Sequence, residues 1–395
     1  MKILVVTQYY YPEQFRITDI SQTLVQLGHE VTVLTGQPNY PNGEIFPGYS
    51  NRRTTELLGG VKIIRCKIIP RKKGKINLLI NYISFVYYGN KEINRIDKDF
   101  DVIFINQLSP IFSAIPAIKY SKKNGVKSIL YCLDLWPESV ASSGLSKKNI
   151  FYKLISKLSN NIYKNVETIA ITSNAFSEKF LNIGIENTFY LPQYSEDIFK
   201  PLKNNKTSKT IDFVFAGNIG EFQSVETIIF AAELLSCHTN IIFHIVGDGS
   251  KYKFIRDLVE KKQLINIKFY GKLPLEIMPE IYNLADAMLV TLKNDEMISK
   301  TLPGKVQTYL ASAKPIIAAI NGETSNILKE ACVGYVCPAE DYIELSNSIL
   351  KFINEGKKNE FSFNALRYYE DHFSKEIFFK KLEFLLKGDY KHAIE

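Results

Sequence analysis

Two doubly wound α/β domains are predicted for this chain, and three observations predict them. Its 395 residues exceed what one ordinary core organises, so two domains are expected. Short β-rich apolar runs alternate with amphipathic stretches of roughly 10–15 residues in both halves, the pattern of parallel sheets joined by crossover helices. A polar stretch rich in Lys and Asn, about 192–210, separates the two series.

In the first half, Met1–Thr7 reads as a buried strand and Gln8–Ile17 as a Tyr-rich loop at its C-terminal end, where open α/β sheets place ligands. A helix over Thr18–Leu27 closes at Gly28, and Glu30–Thr35 is the next strand. The long loop Gly36–Asn51 is followed by Thr54–Leu58 and Val61–Ile68, two β-rich runs joined by Gly59-Gly60. Strands follow at Asp101–Asn106, Lys127–Cys132, Thr168–Thr172 and Thr188–Leu191. Helices are read at Pro110–Asn124, Asn149–Lys164 (basic on one side) and Ser173–Asn182.

The second half opens on Ile211–Leu235. Phe213 to Ala216 has the length and composition of a buried parallel strand, and Gly217-Asn218-Ile219-Gly220 ends it. From Val225 the period changes, with Val225, Ile228, Ile229, Ala232 and Leu235 on one helical face. Such a turn presents backbone N–H groups at the positive end of a helix, which suits an anion, although an ordinary βα turn looks the same. Strands Ile241–Val246, Ile267–Tyr270, Ala287–Thr291 and Pro315–Ala319 then alternate with helices Ser250–Lys262, Leu275–Leu284, Gly304–Ser312 and Glu323–Glu330. Three helices fill Tyr342–Lys387.

Composition limits the function classes. Apolar residues make up 46% and charged residues 23%, ordinary for a soluble globular protein. No apolar run reaches the ~18 residues of a membrane-spanning helix, and the first residues, too short for a secretory h-region and without a small-residue cleavage site, are expected to be a buried strand rather than a leader. The five cysteines are odd in number and show no CxxC spacing, so reduced thiols are expected, with no disulfide frame and no zinc site. The net charge of +8 is unevenly spread: residues 1–199 hold 24 Lys and Arg against 16 Asp and Glu, and residues 200–395 hold 25 of each. The first half is therefore expected to face something anionic, a lipid surface or phosphorylated molecules. Arg71, Lys72, Lys73 and Lys75 stand directly before or at the start of the apolar, aromatic run Ile76–Tyr88. That run is too short to span a bilayer. It fits a core helix with a basic cap, or a helix lying in a membrane interface with its cations at head groups.

The motifs together resemble a known family. They are Gln8-Tyr9-Tyr10-Tyr11-Pro12-Glu13, Gly28 to Gly36, Pro38 to Gly43, Asp134-Leu135-Trp136-Pro137-Glu138-Ser139, Leu191-Pro192-Gln193-Tyr194, Gly217 to Gly220, Val246-Gly247-Asp248-Gly249, and Pro303-Gly304-Lys305 through Lys314-Pro315. Each is weak alone, but their order and spacing nearly end to end resemble glycosyltransferase family 4, within it the WbuB-like group of surface-polysaccharide transferases. The resemblance implies the GT-B arrangement: two Rossmann-like domains facing a cleft, the acceptor-binding one over residues 1–195 and the nucleotide-sugar one over 196–372. A C-terminal helix, 373–395, is expected to cross back. It further implies transfer of a sugar, with N-acetyl-L-fucosamine or a related amino or deoxy sugar as the best reading. The donor would be a UDP-sugar and the acceptor an undecaprenyl-diphosphate-linked saccharide of capsule or O-antigen synthesis. Retention, no metal, no cofactor beyond the donor, no nucleic acid, and a place on the cytoplasmic face of the inner membrane complete what it implies.

The chain departs from the wider family where charge matters. Asn218 and Gln223 stand where the family carries the Arg and Lys that hold the donor diphosphate, and Lys300 and Thr308 stand at its two glutamates. Something must still neutralise the leaving diphosphate. Lys300 and Lys305, beside the Gly304 helix start, are the cations assigned to it, although solvated loop lysines would look the same. The donor side is then expected to comprise Gly217, Asn218, Ile219, Gly220 and Gln223, with Gly247, Asp248 and Gly249. Gly271, Lys272 and Leu273 follow, then Lys300, Pro303, Gly304, Lys305 and Thr308. On the acceptor side, Asp134 and Glu138 are the acids able to orient or deprotonate a hydroxyl, or merely to cap a helix after Pro137. Tyr9, Tyr10, Arg16, Asn39, Tyr40, Gln107 and Trp136 are expected to line the acceptor. Two competing readings remain: a nucleotide-sugar epimerase of the same build, which has no use for the Arg71–Tyr88 segment, and a non-catalytic nucleotide-sugar or membrane-binding module.

Overall fold

Buried apolar runs and amphipathic helices build two separate sheets in the computed structural model, which describes residues 1–72, 74–142, 145–203 and 209–388. One unit comprises Met1–Thr172, Phe176–Tyr190 and the chain from Phe384; the other comprises Ser173–Ala175 and Leu191–Glu383.

The first unit runs β1 (Lys2–Val6), α1 (Ile17–Gln26), β2 (Glu30–Gly36), β3 (Thr54–Leu58), β4 (Val61–Cys66), α2 (Lys75–Glu92) and β5 (Val102–Gln107). It continues through α3 (Ile115–Asn124), β6 (Lys127–Cys132), α4 (Glu138–Ser142), α5 (Ile150–Tyr163), β7 (Thr168–Ile171), α6 (Ser177–Asn182) and β8 (Thr188–Tyr190). The sheet order is β3-β4-β2-β1-β5-β6-β7-β8, parallel except for the β3–β4 hairpin. Ile3 to Val6 and Ile103 to Ile105 are inaccessible to solvent, because helices cover both faces of the central strands. From β1 the chain builds outward through β2, then returns to lay β5 on the other side. The loops after β1 and β5 therefore diverge and open a crevice at the strand C-termini. The helix expected from Pro110 begins instead as a 3-10 turn, Ile111–Ala114. Pro116 has no N–H to give the Phe112 carbonyl, so the α-helical ladder starts only at Ile115.

The second unit runs β9 (Ile211–Ala216), α7 (Val225–Leu234), β10 (Ile241–Val246), α8 (Tyr252–Lys261), β11 (Ile267–Gly271), α9 (Met278–Leu284), β12 (Ala287–Thr291) and α10 (Gly304–Ala311). β13 (Ile316–Ala319), α11 (Glu323–Glu330), β14 (Gly334–Cys337), α12 (Tyr342–Glu355), α13 (Lys358–His372) and α14 (Lys375–Lys387) complete it, the last turn of α14 belonging to the first unit. The order β11-β10-β9-β12-β13-β14 is parallel throughout. The strand period of two sends Phe213 and Phe215 into one apolar cluster and Val214 and Ala216 into another. Order reverses between β9 and β12, which makes that the switch point of this sheet. β14 was not expected: its four residues, Gly-Tyr-Val-Cys, are an edge strand too short and too exposed to show an apolar run.

Candidate active site

At the switch point of the second sheet, the turns after β9 and β10 pack backbone on backbone. Gly217 and Gly247 have φ of 144° and 137°, and a Cβ on Gly247 would stand 1.8 Å from the Gly217 carbonyl oxygen. The Gly217 N–H donates to the Val246 carbonyl at 2.9 Å, and the Ile219 N–H to the Asp248 carbonyl at 2.9 Å. This corrects the expectation that Ile219 offers its N–H to a ligand: the group is spent holding two turns together, and the side chain is buried. Asn218 is exposed beside Gly220. Gly271 accepts the Gly247 N–H, Lys272 is exposed, and Leu273 packs on the apolar cluster below. The Asp248 carboxylate accepts the N–H of Gly249 in its own turn.

Lys305, from the first turn of α10, lies under the Gly217 turn. A Cβ on Gly217 would come within 2.9 Å of its Nζ. The ammonium donates to Gln223 Oε1 at 3.0 Å and sits 4.0 Å above the ring centre of Phe215. Burial against that apolar floor pushes its pKa down to about 7, so near neutrality the group carries only part of its charge. The structure thus brings Gly217 and Gln223 of the opening turn together with Lys305 of α10. Pro303 caps α10 and Gly304 opens it at the surface. Two other expected members stand differently. Thr308 is buried, its hydroxyl donating to the Lys305 carbonyl. Lys300 ends a 3-10 turn with its Nζ 3.9 Å from Glu296. Sequence reasoning missed Lys251 and Lys293, which both hydrogen-bond Glu221 in the opening turn. Those bonds, Lys251 first, hold the Glu221 carboxyl down at about 2. Lys293 follows closely on β12 at the switch point, a placement that only the strand order of the folded sheet reveals.

In the first unit the loops after β1, β2, β5 and β6 converge. Glu13 is buried and clips two of them, accepting backbone N–H groups from Tyr10, Asn39 and Tyr40 at 3.1, 2.9 and 2.7 Å. Gln8 donates to Asn81 of α2, and Asn81 in turn to Asn39. Tyr9, Phe15 and Tyr40 form a mutual aromatic group with ring centres 5.4 to 5.5 Å apart. The Arg71 guanidinium lies 5.1 Å above the Tyr40 ring, and the Arg71 N–H donates to Asn39 Oδ1. Beside them, Asp134 Oδ2 accepts from Trp136 Nε1 at 3.1 Å, and that indole also donates to Ser109. Burial raises the Asp134 carboxyl above the ordinary range, with hydrogen bonds from Trp136, Ser139 and Ser109 opposing the shift. A carboxylate so placed holds a proton more readily than one in water.

The other expected residues take supporting places. Tyr10 is inaccessible and belongs to the core, its hydroxyl raised to about 12 by burial. Gln107 is inaccessible and donates to the carbonyls of Leu108 and Asp134, so it shapes the loop that holds Asp134. Trp136 is buried against Phe112, its indole N–H spent on Ser109 and Asp134. Glu138 pairs with Lys179 at 2.8 Å. Arg16 precedes α1 and is half-buried. Arg71, expected at a lipid surface, turns instead into the aromatic group. Lys72 is exposed, Lys73 lies outside the described residues, as does the side chain of Lys75.

Two parallel α/β units, each with its polar groups gathered at a switch point, are the two Rossmann-like units of the GT-B fold. Solved structures agree on the fold. Sucrose-phosphate synthase from Thermosynechococcus elongatus superposes with a TM-score of 0.76 at 15% identity, covering 99% of each chain. Anabaena HepE, solved with UDP and glucose, gives 0.71 at 14% identity over 98% of this chain and 99% of that one. Residues 196–365 match the family described as Glycosyl transferases group 1. The "Putative colanic acid biosynthesis glycosyl transferase WcaI" of Escherichia coli K12 is 25% identical over 87% of this chain and 90% of its own length. The "Probable glycosyltransferase WbjE" of Pseudomonas aeruginosa is 27% identical over 60% and 62%. The chain is a glycosyltransferase, with residues 196–365 similar to the group 1 family.

Proposed function

We propose that this glycosyltransferase moves a sugar from a UDP-sugar to a lipid-linked, undecaprenyl-diphosphate saccharide in the assembly of a bacterial surface polysaccharide, capsule or O-antigen, at the cytoplasmic face of the inner membrane. The observation that carries the donor half is Lys305 beneath the Gly217 turn. It supplies, from α10, a cation where the wider family's Arg and Lys are replaced by Asn218 and Gln223. Gln223 has become the neutral partner of that cation. When the diphosphate leaves, a charged Lys305 offsets its growing negative charge, and the exposed Asn218 contributes a neutral donor. HepE, of the same fold, was solved with UDP-glucose, and the name of WcaI places it in colanic acid biosynthesis; both support the reading.

On the acceptor side, Asp134 takes the hydroxyl proton as the new bond forms, its raised pKa suiting a base. Arg71 over Tyr40 faces the acceptor as a fixed cation suited to a diphosphate. N-acetyl-L-fucosamine or a related amino or deoxy sugar is the donor sugar proposed, with retention. The test is incubation with a panel of nucleotide-sugars, with and without an undecaprenyl-diphosphate-linked saccharide, followed by mass analysis. The expected product is a lipid-linked saccharide one sugar longer. An epimerised nucleotide-sugar, or nucleotide binding without any transfer, would overturn the proposal.

A further inference from the structure

The donor turn and the Asp134 group leave a basic face of the first unit without a role. Helices α3 and α5 together carry five lysines and no acidic residue. α5 is amphipathic in an unusual sense. Tyr152, Ser159, Ile162 and Tyr163 are buried. On the outer face Ile150, Phe151, Leu154 and Leu158 stand 76, 67, 56 and 47% exposed. Their spacing of one, four and eight residues makes them one continuous ridge, and a contiguous apolar patch on a soluble chain marks a contact surface.

A groove runs along each flank of the ridge. The one toward α3, about 660 Å³, is floored by Phe112, Ile115, Ile118 and Leu158 and rimmed by Lys119, Lys122 and Lys123. The other, about 520 Å³, is lined by Lys147, Lys153, Lys157 and Lys164, with Ser156 and Asn160 between them. Among the described residues, no carboxylate lines either groove. We propose that the α5 ridge is seated in the interface of an anionic bilayer, with lipid phosphates in the two lysine-lined grooves. Charge selects this occupant. A second copy meeting the ridge about a twofold axis would set these lysines against themselves. A bilayer interface instead takes apolar side chains at the acyl boundary and cations at the head groups, on both sides of one helix. Helix α2 packs on the same 3-10 turn, Ile111–Ala114, as α5. It adds its own exposed row, Ile76, Leu79, Ile80, Ile83 and Tyr87. Among the described residues no helix is long and apolar enough to cross a membrane, so contact of this kind lies in the plane of the surface. The surface rests on the lipid-linked reading of the acceptor for its purpose, not for its physics.

The experiment is flotation of the full chain with phosphatidylcholine vesicles, with and without phosphatidylglycerol, at low and high salt. Two variants are compared with the wild type: F151S/L154S/L158S for the ridge and K153S/K157S/K164S for the rim. The wild type is expected to favour anionic vesicles strongly. The rim variant should lose roughly 100-fold of that binding at low salt and little at high salt. The ridge variant should lose tenfold or more, roughly, at either salt. Both variants, changed only at exposed positions, should keep the wild-type melting temperature and UDP affinity. Variants that bind like the wild type overturn the proposal. So does a ridge variant that turns a wild-type dimer into a monomer while vesicle binding stays unchanged. Transfer to a water-soluble acceptor is measured in parallel: a chain that binds vesicles through α5 yet transfers no sugar refutes the proposed reaction and leaves the docking surface standing.

Discussion

Lys305→Met tests the donor site most directly. Methionine keeps an unbranched apolar stem over Phe215, one atom shorter than lysine, and removes the charge, so the apolar floor that depresses the lysine pKa accepts the substitute readily. Losing one charge-assisted contact to the diphosphate costs about 1.5–3 kcal/mol, or roughly 10- to 150-fold in the UDP dissociation constant. The proton balance gives a second readout. With a pKa of about 7 in the free enzyme, Lys305 is neutral in roughly nine molecules of ten at pH 8. An incoming diphosphate favours the charged form, so binding at pH 8 should take up close to one proton, and affinity should weaken as pH rises further. Stability follows the opposite direction. Between pH about 7 and 10.5 the unfolded lysine keeps its proton and the buried one does not, so the unfolded state binds more protons and wild-type stability climbs with pH across that window. The variant should lack both the climb and the proton uptake. Titration calorimetry in buffers of different ionisation enthalpy measures affinity and proton count together. Wild-type affinity with wild-type proton uptake in Lys305→Met would refute the assignment.

Three further outcomes are expected. Gly247→Ala drives a Cβ to 1.8 Å from the Gly217 carbonyl at a φ of 137°, and should cost about 3 kcal/mol or more, seen as a large fall in melting temperature; an unchanged melt would mean the two turns do not meet as described. Asp134→Asn should lower turnover at least 100-fold, roughly, while UDP binds as before, and a variant with full turnover would remove Asp134 from the chemistry. Arg71→Gln should raise the KM for a diphosphate-bearing acceptor about tenfold and leave the donor KM alone, and equal effects on both substrates would argue for a general packing role.

The two parallel sheets were legible because burial on both faces writes strands such as Ile241–Val246 and Ala287–Thr291 as unbroken apolar runs, and those expected bounds match the observed strands. The Gly217 turn was legible for a related reason, since the switch from a two-residue to a 3.6-residue period fixes where a strand yields to a helix. The edge strand β14 was not, because an edge buries too little to impose a pattern.

Charge and direction were decided only by the tertiary structure. The sequence named Lys300 and Lys305 together, as equal cations near one helix start. Folding sets Lys305 under a glycine 88 positions earlier in the chain and points Lys300 at Glu296, because strand order, which no local pattern encodes, determines which loops meet. Arg71 is the plainest case. Its neighbours in sequence made it one of a basic cluster before an apolar helix, yet the bond from its backbone to Asn39 turns it toward Tyr40, and an exposed apolar ridge between two lysine-lined grooves lies on α5. Composition records how many charges a unit carries; which face they occupy depends on contacts between residues far apart in the chain.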